Sequence, residues 1–222
     1  MDSVSDKYSL VIFDLDGTLV NAFNDITAAV NYALGKLNLP MVETPFVRKY
    51  VGSGVRALMK DVLRELHALN GSEKKLDRAV SLWKEYSLEH PADQAELYPG
   101  VKSALERLSH KGVRIAVVSN KLDEVTGKVL EHLDISEMFD EIRGERPEFP
   151  KKPAPDALLH IMKRFDSSPE ETLMVGDGRA DIAAGKAANC DVWGVSWGIL
   201  SPEEFRELGI EKVIDSMEEF VV

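Results

Sequence analysis

The chain has 222 residues, 44% of them hydrophobic and 29% charged, with a net charge of −11 at pH 7. That length admits one large domain or a core carrying an insertion, and that composition can bury a core. The negative field, with no basic run against it, excludes nucleic acid and anionic lipid as expected partners.

No apolar run approaches the roughly 18 residues of a membrane span. The opening "MDSVSDKYSL" lacks the basic stretch and apolar stretch of a secretory signal. Cys190 is the single cysteine, which excludes an internal disulfide and fits a reducing compartment. A cytoplasmic protein, monomer or homodimer, is the expectation, with Cys190 a small core residue.

"YSLVIF" (8–13) is a short apolar run with β-branched members and reads as a buried strand. After Val20 the period changes. Ile26, Ala29, Val30, Ala33, Leu34 and Leu37 recur at helical spacing, and Asn38 and Pro40 end the pattern. A second helix carries Val55, Leu58, Met59, Val62, Leu63 and Leu66. A third carries Leu76, Ala79, Val80 and Trp83. From 21 to 95 the chain reads as helical throughout. At "YPGV" a new regime begins, in which the strands "VRIAVVSN", "TLMVGDG" and "VWGVSW" alternate with helices. Apolar strands alternating with helices imply a parallel sheet covered on both faces. The expected fold is α/β: a Rossmann-like open parallel sheet core (1–20 and 96–222) with an inserted all-helical cap domain (21–95).

Ligands of such sheets bind beyond the carboxyl ends of the strands. The first strand ends in Asp14 and Asp16, "VRIAVVSN" in Ser119 and Asn120, and "TLMVGDG" in Asp177, with Asp181 one helical turn on. Lys152 lies in a loop before a helix. Singly, Asp16 or Asp181 could cap a helix, Ser119 could close a turn, and Lys152 could be a solvated charge. Together, four carboxylates at one edge repel. A hard divalent cation such as Mg²⁺ relieves that repulsion, and it must be present before an anion can enter.

"DLDGTLV", the serine of "VVSN", the lysine of "KPAPD" and "GDGRAD" resemble, in order, the four motifs of the haloacid dehalogenase superfamily. The helical insertion sits where that superfamily carries its first-type cap. "VRKYVGSGVRALM" and "YPGV" resemble phosphoglycolate phosphatases within it. The resemblance implies that Asp14 attacks phosphorus and that Asp16 acts as acid and then base. It implies that Asp14, the carbonyl of Asp16 and Asp177 hold Mg²⁺ with Asp181 close by. It further implies that Ser119, the amide of Asn120 and Lys152 bind the phosphoryl oxygens. The implied substrate is a small phosphorylated metabolite, 2-phosphoglycolate first. Alternatives are a phosphomutase, a phosphatase for pyrophosphate or a sugar phosphate, and a phosphate-binding module without turnover. Gly178 and Asn21 depart from the residues common in that superfamily.

The cap stretch "VRKYVGSGVR" supplies candidates for the substrate's far end. These are Arg48, Lys49 and Arg56, with the amides of Gly52, Ser53 and Gly54 at a helix start. Ser53 reads equally as that helix's N-cap. Trp83, Trp193 and Trp197 read as packing residues, and the five histidines show no metal-ligand spacing.

Overall fold

The computed structural model describes residues 4–220. A helical turn, α1 (Val4–Lys7), leads into β1 (Leu10–Phe13) and the two-residue strand β2 (Val20–Asn21). Helices α2 (Phe23–Lys36), α3 (Thr44–Arg48), α4 (Val55–Glu65) and α5 (Glu73–Glu89) follow, then β3 (Glu96–Leu97). Alternation begins with α6 (Val101–His110), β4 (Arg114–Leu122), α7 (Asp123–His132) and β5 (Glu141–Glu145). It continues through α8 (Asp156–Arg164), β6 (Thr172–Gly176), α9 (Arg179–Ala187), β7 (Asp191–Val195), α10 (Pro202–Glu207) and β8 (Val213–Ile214).

Six strands form one sheet in the order β5-β4-β1-β6-β7-β8, every neighbouring pair parallel. The alternation of side chains along each strand explains why both faces are covered. Val11 and Phe13 of β1, Ile115 and Val117 of β4, and Leu173 and Val175 of β6 enter one core. Leu10, Ile12, Ala116, Val118 and Met174 enter the core on the other face, where Leu158 and Ile161 of α8 and Cys190 meet them. Cys190 is buried, as expected, and burial pushes its thiol up to about 11. The chain steps outward from β1 through β4 and β5, then returns to the opposite side of β1 for β6. That reversal puts a ligand crevice at the carboxyl ends of β1, β4 and β6.

The helices between β2 and β3 bury the stripes that their spacing predicts. Ile26, Ala29, Val30, Ala33 and Leu34 are buried in α2, and Val55, Leu58, Met59, Val62 and Leu63 in α4. Both helices pack on α5. β2 and β3 pair antiparallel, Val20 opposite Leu97 and Asn21 opposite Glu96, where the chain leaves and rejoins the sheet. Several elements lie outside the sequence reading: the turn α1, the short strands β2 and β3, and also α3, β5 and β8. α3 is a five-residue helix, too short for a period. β5 ("EIRGE") is a charged edge strand, and β8 has two residues. Ser53 is not an N-cap. Gly54 takes that place at φ 85°, and α4 starts without a side-chain cap. No helix among the described residues is long and apolar enough to cross a membrane.

Candidate active site

The β1 ladder carries Asp14 into the crevice, its amide donating to Val175 O of β6 at 2.9 Å. The chain then turns tightly, with Thr18, Leu19 and Val20 all donating to Leu15 O. Gly17 makes the turn possible. Its φ is 90°, and a Cβ there would lie 2.1 Å from Asp177 Oδ2. A second glycine, Gly198, admits Asp177 from the other side, since its Cβ would lie 2.1 Å from that of Asp177. Asp177 thus has room beside β1 because Gly17 and Gly198 carry no side chains.

Oxygen atoms of Asp14, Asp177 and Asp181 lie within 4.8 Å of one another, and all three residues are buried. Lys152 Nζ sits 2.6 Å from Asp14 Oδ1 and 2.7 Å from Asp181 Oδ1, and also donates to Val118 O. Asp181 Oδ2 accepts from Gly178 N at 2.9 Å, and Asp177 Oδ2 from Ile199 N at 2.9 Å. Asp181 therefore serves the start of α9 as well as the cluster.

Burial pushes the Asp14 carboxyl up to about 7; Lys152 opposes the rise, while Asp181 and Asp16 add to it. Burial likewise raises Asp177 well above the usual carboxylate range, helped by Asp14 and Asp181. Burial disfavours the Lys152 ammonium, yet Asp14 and Asp181 more than offset that, and its pKa rises. One ammonium among three buried carboxylates leaves negative charge uncompensated. The all-oxygen donor set fits a hard divalent cation, and Asp14, Asp177 and Asp181 could hold one.

Ser119, Asn120 and Lys121 at the end of β4 all line one cavity of about 360 Å³, together with Asp14, Asp16 and Asp177. A regular strand would turn alternate residues away. Here the β4–β5 register shifts between Val118 and Leu122, and three consecutive residues line the same space. Asn120 Nδ2 donates to Lys152 O and to Gly52 O, both at 2.8 Å, tying β4 to the loop before α4. Lys121 carries the feature that the sequence reading missed. Its Nζ donates to both carboxylate oxygens of Asp16 at 2.9 Å, and the pair is largely buried.

Of the cap candidates, Lys49, Gly52, Ser53 and Gly54 line the cavity. Arg48 and Arg56 are not among the residues that line it. Arg48 donates to the carbonyls of Trp197 and Gly198 and stacks over Phe23, so it ties α3 to the loop after β7. Arg56 is exposed and committed to Glu73 and Asp77 of α5, each at 2.6 Å. Trp83 packs in the core and also lines the cavity, its indole N–H without a partner. Trp193 packs against Tyr8 and Phe220, and Trp197 donates to Thr18 O.

Residues 11–195 match the haloacid dehalogenase-like hydrolase family over most of the chain. The chain belongs to that family. As a haloacid dehalogenase-like hydrolase it is 38% identical over 189 residues to the phosphoglycolate phosphatase of Aquifex aeolicus, covering 85% of each chain. It is 34% identical over 212 residues to that of Haemophilus influenzae, covering 94% of this chain and 95% of the relative. It is also similar to a crystal structure described as a predicted phosphoglycolate phosphatase from Haemophilus somnus 129pt. That likeness has a TM-score of 0.89 at 28% identity, over 96% of each chain.

Proposed function

We propose that this chain is a Mg²⁺-dependent phosphatase that hydrolyses 2-phosphoglycolate through an aspartyl-phosphate on Asp14. The observation that carries the reading is Asp14 itself, a buried carboxylate held 2.6 Å from Lys152 with Asp16 two residues on, facing one cavity. The names of relatives at 38% and 34% identity supply the substrate. The division proposed is a core of 1–20 and 96–222 that performs the chemistry and a cap of 21–95 that closes over the leaving group.

An Asp14 oxygen attacks phosphorus, the bond from phosphorus to the ester oxygen breaks, and Asp16 gives that oxygen its proton. Asp16 then takes a proton from the incoming water, which attacks phosphorus and releases Asp14 as carboxylate with inorganic phosphate. Ser119 and the amide of Asn120 donate to the phosphoryl oxygens, and Lys152 offsets their charge as it builds. Asp14, Asp177, Asp181 and the carbonyl of Asp16 would hold Mg²⁺, which would supply charge neutralisation at the phosphoryl group. Gly178 has no hydroxyl to add, and Asp181 already receives its amide.

The test is phosphate release across a panel of phosphorylated metabolites, with and without Mg²⁺. 2-Phosphoglycolate is expected to give the highest kcat/KM, and chelator to abolish turnover. A sugar phosphate ranked first, or full activity in chelator, contradicts the reading.

A further inference from the structure

An enzyme that takes 2-phosphoglycolate must recognise a carboxylate inside a site already crowded with carboxylates. Arginines 48 and 56 are committed elsewhere. Among the described residues, the cations lining the cavity are Lys49, Lys121 and Arg179. Lys49 and Arg179 are exposed, and Arg179 is paired with Glu204 at 3.1 Å. Lys121 alone is buried, its side chain 6% exposed.

We propose that Lys121 reads the carboxylate of the leaving group while it holds Asp16 in position to protonate the ester oxygen. This assignment rests on the phosphoglycolate reading above. The geometry follows from the substrate's own bonds. Its carboxylate carbon is two covalent bonds from the ester oxygen, and Asp16 is the side chain that meets that oxygen. Lys121 Nζ sits 2.9 Å from both oxygens of Asp16, so the ammonium lies beside the place where the carboxylate must come. An ammonium has three donors, and Asp16 receives two of them, leaving one for the substrate. The charges agree. Lys152 alone leaves the carboxylates of Asp14, Asp16, Asp177 and Asp181 in excess even with a divalent cation. Lys121 removes that excess on the side where a second anion enters. A charge-assisted hydrogen bond in such a buried place is strong enough to set selectivity.

The test compares 2-phosphoglycolate with ethyl phosphate, which has the same ester oxygen and no carboxylate. Both are assayed with Mg²⁺ on the wild-type chain, Lys121→Gln and Lys121→Arg. Lys121→Gln is expected to lower the kcat/KM ratio of the two substrates at least tenfold, about 1.4 kcal/mol, mainly through KM for 2-phosphoglycolate. Lys121→Arg, which keeps the charge, is expected to recover most of that ratio. Lys121→Met repeats the comparison should the glutamine variant not fold. Equal losses on both substrates, as a merely structural lysine gives, overturn the assignment. So does a wild-type preference that the neutral variants retain, which leaves the phosphoglycolate reading standing. A wild-type chain with no preference for 2-phosphoglycolate overturns the substrate reading itself, and the Lys121 assignment with it.

Discussion

Burial raises the Asp14 carboxyl from its ordinary value of 3.8 to about 7. A raised carboxyl pKa means that folding favours the neutral form. The penalty is absent below about pH 4 and grows as pH rises through about 7. Asparagine at this position never carries the charge. In chelator, the Tm of Asp14→Asn minus that of the wild type is therefore expected to be smallest near pH 4. It should widen toward pH 7 and level off above, and a thermal melt series reads it directly. A gap that stays constant or narrows would place the carboxylate in a better-solvated setting than the one described. Arg56 gives the opposite kind of prediction. Its partners Glu73 and Asp77 are exposed, and such pairs contribute little. Arg56→Ala is expected to leave KM and kcat for 2-phosphoglycolate within twofold of wild type, and a tenfold rise in KM would return this residue to the site. The sequence already held the reason. Val55, Leu58 and Met59 set the buried stripe of α4, and Arg56 lies off it. Lys121 was not legible in the same way, because only the irregular end of β4 turns three successive residues into one cavity.

At the scale of elements, the strands that form the centre of the sheet were the readable ones. β1, β4 and β6 are apolar on both faces, so each reads as a continuous apolar run. β5 is charged at three of its five positions and lies at the sheet edge, where no second neighbour demands apolar residues. α3 was missed for its length, and with it the role of Arg48, whose contacts are backbone carbonyls that no side-chain pattern announces. Arg48 joins α3 to the loop after β7, the same loop whose Ile199 amide holds Asp177. Arg48→Ala is expected to raise KM severalfold on 2-phosphoglycolate and ethyl phosphate alike, because it loosens one wall of the cavity without touching the leaving group. A loss confined to 2-phosphoglycolate would make Arg48 a carboxylate contact after all.

Over the whole molecule, net charge of −11 and three buried carboxylates in one cluster are the reason a cation is proposed as the condition for binding an anion. Three of the segments that meet at the crevice were legible from strand ends, and the fourth, with Lys152, from the loop before α8. A cation that binds only the folded chain stabilises it. At a hundred times Kd the gain is about 2.7 kcal/mol. For a chain of this size that corresponds to roughly 5–10 °C in Tm. Mg²⁺ is expected to raise the Tm of the wild type at pH 8 by that order, and that of Asp177→Asn by much less. Equal rises in both would place the cation elsewhere.

The central claim is that Asp14 forms a covalent bond to phosphorus, and the most direct measurement is turnover of 2-phosphoglycolate by Asp14→Asn. The assay is run with saturating Mg²⁺ on protein shown by circular dichroism to be folded. The amide keeps the shape of the side chain and removes its nucleophilic charge, so phosphate release is expected to fall at least a thousandfold, to the background of the buffer. A folded Asp14→Asn protein that turns over within tenfold of wild type would contradict the account.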